Sequence, residues 1–166
     1  MKTLTTALIL MMTIVVASAD VAGQTPSASL RAANDKAARQ YQIYLTANRQ
    51  AGYSSNGLTG KWNSVYYRFI VKKGNLRNQG ITIFRRDLAA SRSTYDDAIF
   101  KARLAVDKLK TKRYWQQRVL KPSHRYLIKS TDNTIRAIEK QIFGLQQRWS
   151  GISRSWEAKI RRAQLL

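Results

Sequence analysis

Between Ile135 and Trp156 an apolar side chain returns every third or fourth residue: Ile135, Ile138, Ile142, Leu145, Trp149, Ile152 and Trp156. On an α-helix those positions form one stripe, whereas on a strand they would scatter over both faces. Glu139, Lys140, Arg148 and Arg154 fall outside the stripe. The pattern therefore predicts a long, coiled-coil-like C-terminal helix. Ser130, Thr131 or Asp132 offers its expected N-cap, because a short side-chain oxygen can accept from free amides of the first turn. Gly144 and Gly151 each lower helix propensity by about 1 kcal/mol relative to alanine, which reads as close approach of a neighbour or as looseness.

A helix with one apolar side must bury it against another element, and upstream segments offer partners. From Ser29 the residues Leu30, Ala33, Ala37, Tyr41, Tyr44 and Asn48 fall on one stripe. From Ile81 a second seam steps through Phe84, Leu88, Ser91, Tyr95, Ala98, Ala102, Ala105 and Leu109, widened by Ile99 and Val106. Residues 51–60 (AGYSSNGLTG) hold three glycines and an Asn-Gly pair, which predicts a loop or tight turn. Segment 61–80 carries strand-like residues from Val65 to Val71, yet Trp62, Tyr66, Phe69, Lys73 and Leu76 also share a helical face. Helix is the preferred reading, since a single strand would have no partner. Gly74 and Gly80 mark a kink or break, with a one-position slip of the stripe near Gly80. Lys121-Pro122-Ser123 should end the preceding helix.

The expected fold is all-α: an elongated three- or four-helix bundle, or a helical hairpin completed by self-association. The expected division is a signal peptide over 1–19, a flexible entry over 20–28 and one basic helical domain over 29–166. The signal reading rests on Lys2, the apolar run Leu8–Val16 and the small-residue site Ala17-Ser18-Ala19. It implies a secreted or periplasmic protein, with envelope association as its extension.

No catalytic chemistry is legible. The chain has no cysteine and one histidine, His124, which removes thiolate sites and histidine metal clusters. P-loop, dinucleotide, EF-hand, H-E-x-x-H and G-x-S-x-G motifs are absent from the sequence. Asp96 and Asp97 are the one adjacent acid pair, and neighbours on a helix do not face each other. Asp97 to Lys101 has the spacing of an ion pair, and Arg92 is a partner for these acids. The sequence thus predicts no enzyme, no cofactor, no metal site and no specific small-molecule substrate.

Charge is the informative property: 30 Lys and Arg stand against nine Asp and Glu, for a net +21. Such an excess favours acidic partners. The densest stretch holds Lys108, Lys110, Lys112, Arg113, Arg118, Lys121 and Arg125, interleaved with Tyr114, Trp115 and Tyr126. Cations to neutralise acidic groups and aromatics to support them predict a non-catalytic surface for an acidic polymer or anionic surface: envelope glycan, anionic lipid or nucleic acid. Arg154, Lys159, Arg161 and Arg162 form a second cluster where a helix C-terminus favours cations. Lys72-Lys73 and Arg85-Arg86 spread the charge further. The alternative is a structural subunit of an envelope or extracellular assembly. In it Ile142, Trp149 and Trp156 form an interface with a protein partner or a second copy.

Overall fold

The computed structural model describes residues 28–72 and 74–165. The expected signal peptide and all but the last residue of the flexible entry lie outside them. Three long helices follow one another: α1 (Ala28–Val65), α2 (Asn75–Val119) and α3 (Arg125–Gln164). A π-helical segment, Tyr66–Ile70, leads from α1 into the first turn, and a 3-10 turn, Pro122–His124, leads into α3. The described residues are an all-α bundle with no strand. Cross-helix pairs fix the directions. Lys61 meets Asp87 and Ser55 meets Tyr95, so α1 and α2 run antiparallel. Arg113 meets Asp132 and Phe84 meets Trp156, so α2 and α3 do too.

Small residues bring α1 and α2 together. Ala33, Ala37, Ala47 and Ala51 are buried on α1, and Ala98, Ala102 and Ala105 on α2. Alanine keeps high helix propensity and lets backbones approach. Helix α3 packs on α2 and reaches α1 through long side chains: Tyr44 hydrogen-bonds Gln141, and Trp62 stacks at 5.8 Å from Trp156. The core divides along the bundle axis into an alanine- and tyrosine-rich stretch and an aromatic one around Trp62, Phe84 and Trp156, bridged by Trp149 and Ile152.

The seam from Phe84 to Leu109 is buried at every expected position. Residues 51–60 differ from expectation, since α1 passes straight through them. Ala51 and Leu58 are fully buried on the inner face, while Gly52, Gly57 and Gly60 have open space where a Cβ would sit. Ser55 accepts from the Tyr95 hydroxyl and donates to the Gly52 carbonyl. Packing of one face against α2 thus overrides the weak propensity of the other.

The break between α1 and α2 falls at Gly74, one of the two glycines expected to mark it, but the shift in register lies ahead of it and not near Gly80. The Val71 amide donates to the Tyr66 carbonyl, the wide spacing of a π-turn, and absorbs the shift in register there. Gly74 then adopts φ 71°, a left-handed conformation that glycine takes without steric cost. Gly80 lies six residues into α2 and is buried. At the far turn, α2 ends before Pro122 as expected, but α3 starts at Arg125, ahead of the cap expected at Ser130–Asp132. Those side chains are engaged otherwise: the Thr131 hydroxyl proton is shared between Gln116 Oε1 and the Leu127 carbonyl, and Asp132 pairs with Arg113. The Pro122–His124 turn supplies the entry, with proline preset for the first helical position.

Two buried hydroxyls make the bundle alkali-sensitive. Burial, and secondarily the neighbouring Tyr41, push the Tyr44 pKa up to about 12 from 10.0 against an opposing pull from Arg148. Burial also raises Tyr41. A raised folded pKa means the fold holds its proton where the unfolded chain has lost it, so stability falls with rising pH. Lys112 acts oppositely: burial lowers its pKa below 10.5, so its penalty is relieved as pH approaches that value. The thermal midpoint should therefore fall between pH 10 and pH 12, and Tyr44→Phe should make the fall shallower. A pH-independent midpoint across that window would contradict the burial of these tyrosines.

Candidate functional site

The basic stretch from Lys108 to Arg125 spans the last turns of α2 and the turn into α3. An α-helix advances about 100° per residue, so cations close in sequence point in different directions. Lys110, Tyr114 and Arg118 are exposed on the outer side of α2, with the Arg118 guanidinium 4.3 Å from the Tyr114 ring centroid. Trp115 meets Tyr114 edge-on at 5.3 Å and is half-buried. Lys108 is exposed on the flank away from α3, about 140° round the helix from Arg113. Lys121, Arg125 and Tyr126 are exposed around the turn.

Two of the expected cations are not free to bind. Lys112 is buried, 7% exposed, because it continues the seam two turns after Ala105. Its amine is held below the ordinary lysine pKa by that burial. Arg113 faces α3, with Nε 2.6 Å from Asp132 Oδ1, close in distance but not aligned as a hydrogen bond.

That ion pair lies beside a groove of about 580 Å³ between α2 and α3. Gln117, Leu120 and Pro122 form one wall, and Arg125, Ile128, Lys129, Asp132, Asn133 and Arg136 form the other. Asp132 is the one acid in the lining, and Arg113 already neutralises it. Arg125, Lys129 and Arg136 therefore face the groove with no unpaired carboxylate beside them. The three fall at four- and seven-residue intervals on one face of α3, over about 16 Å. Lys140 continues the same exposed face. Charge density along the sequence points to α2 and passes over Lys129 and Arg136, whose signal is their place on α3 away from the apolar stripe that runs through Ile135 and Ile138.

The chain matches no family model, no curated protein and no solved structure. Among the described residues no group of three His, Cys, Asp or Glu side chains is placed to hold a metal ion. No helix among them is long and apolar enough to cross a membrane. His124 sits in the 3-10 turn with Nδ1 3.3 Å from Ser123 Oγ, its ring 6.3 Å from Tyr126. The Asp97–Lys101 pair is present at 2.7 Å, and Arg92 pairs with Asp96 at 3.5 Å.

The tryptophans of the α3 stripe face inward. Trp156 is 7% exposed between Trp62 and Phe84, and Trp149 stacks on Tyr95 at 5.3 Å. Ile142 is half-buried against the same core. Their bulk spaces α3 from α1 within one chain, so the size of these side chains needs no external partner to account for it.

Proposed function

We propose that this is an exported, non-catalytic protein that binds an extended acidic polymer along the groove between α2 and α3. The observation that supports it is the groove rim: Arg125, Lys129 and Arg136 beside an acid already paired with Arg113. An open groove suits a chain of phosphate, sulfate or carboxylate groups, which would meet one cation after another along α3. Tyr114 and Tyr126, both exposed near the turn, give sugar or base rings a face to stack on. The net charge of +21 raises encounter rates with any such polymer.

The test is binding of a labelled single-stranded oligonucleotide and of a polyphosphate chain across about 50 to 200 mM salt. Replacing Arg125, Lys129 and Arg136 by glutamine together should flatten the log–log salt dependence for the oligonucleotide by about 2, at roughly 0.7 per lost phosphate contact. Lys112→Gln should leave that slope unchanged. An unaltered slope in the triple variant would overturn the groove as the binding surface. The full chain should also release from an isolated envelope fraction as salt rises.

A further inference from the structure

The opposite end of the bundle has a different surface chemistry. In the turn between α1 and α2, Tyr67 is 74% exposed, Val71 55% and Leu76 43%. These three apolar side chains crowd the tip within ten residues, where most exposed large apolar residues elsewhere stand singly along helix faces. Arg68 and Lys72 are exposed among them. Arg77 closes the turn, its Nε 3.2 Å from the Ile70 carbonyl. No Asp or Glu occurs from Lys36 to Arg86, and Asp87, the next acid, is paired with Lys61 at 2.8 Å. The last turns of α3 pack beside this end through Ile160 and Ala163, bringing Arg161 and Arg162, both exposed, to the same end.

We infer that this tip docks on an anionic lipid bilayer, with Tyr67, Val71 and Leu76 entering the headgroup–acyl boundary and Arg68, Lys72 and Arg77 meeting lipid phosphates. Apolar side chains on a convex, cationic tip match a surface with an apolar layer beneath acidic groups. A polyanion in solution has no such layer. Tyrosine carries an apolar ring and a polar hydroxyl, which fits that boundary. The turn is also built to hold its shape: the π-segment packs Ile70 fully inside, which leaves Tyr67 and Val71 directed outward. The site lies about 60 Å along α2 from the groove and does not depend on the groove's function.

The experiment uses the chain with a single label at the tip, which the absence of cysteine permits. Val71→Cys carrying an environment-sensitive fluorophore is mixed with phosphatidylcholine vesicles and with phosphatidylcholine–phosphatidylglycerol vesicles. A blue shift with the second and not the first is expected, while a label at Ser123→Cys should not shift. Tyr67→Ser, Val71→Ser and Leu76→Ser combined should lower anionic-vesicle binding about 10-fold or more, as each removes apolar area from the interface. The same variant should retain oligonucleotide binding. Unchanged vesicle binding by the triple variant would overturn the proposal, as would a shift at Ser123 in place of Val71. Loss of oligonucleotide and vesicle binding together would also overturn it, marking the tip as a general polyanion contact.

Discussion

Replacing Trp156 by alanine should remove about 3–5 kcal/mol of stability, the largest single-residue loss expected in this chain. The indole is 7% exposed and lies 5.0 Å from Phe84 and 5.8 Å from Trp62 by ring centroids. Lys159 Nζ covers its outer face at 4.1 Å. Around it stand Leu58, Ile81, Leu88 and Ile160, drawn from all three helices. Against a typical total of about 5–15 kcal/mol, such a loss should free the last turns of α3. Hydrogen exchange at Ile160 and Ala163 should accelerate first. Denaturant unfolding measures the loss, and it should not depend on protein concentration. A concentration-dependent midpoint, or a loss below about 1 kcal/mol, would place this indole at an interface between chains after all.

The contrast between legible and illegible parts of the fold has a physical origin. The seam from Phe84 to Leu109 and the Ile135–Trp156 stripe could be read because burial repeats with the helical period and no other element produces that repeat. Residues 51–60 could not, because propensity describes each residue's own preference. What holds this stretch helical is Leu58 and Ala51 against α2, with Ser55 bridging to Tyr95. The start of α3 escapes the sequence for a similar reason: Thr131 and Asp132 resemble capping residues locally but engage Gln116 and Arg113 across the bundle.

The basic surface was half legible. Charge density along a chain carries no information about direction, and Lys112 stands in register with Ala102, Ala105 and Leu109, which alone foretells its burial. At the tip the difficulty runs the other way. Apart from Arg68 the stretch from Val65 to Val71 is apolar or aromatic, so composition cannot separate Ile70, fully buried, from Tyr67 and Val71, which are exposed. The π-segment decides the division by adding a residue to the turn, a change of register that no periodic pattern carries.

That same segment makes Gly80 the most discriminating position for a second stability test. Gly80→Ala should destabilise the chain by about 1–3 kcal/mol, although alanine is the better helix former. A Cβ at Gly80 would sit 2.6 Å from the Phe69 Cβ, 3.1 Å from Ile70 Cγ1 and 3.2 Å from Val65 Cγ1. The Phe69 Cβ is bonded to the backbone of the π-segment, so relief requires that segment to move. The identical change at Gly144 or Gly151, where nothing lies within 4 Å, should instead stabilise by about 0.5–1 kcal/mol each. Opposite signs for one substitution on two helices separate close approach from propensity, since propensity alone predicts a gain at all three. The comparison also bears on the tip. If Gly80→Ala proves stabilising, the π-segment yields freely, and Tyr67 and Val71 are not held outward by the packing beneath them. If it destabilises as expected, the rigid contact under Phe69 and Ile70 is what presents the apolar tip.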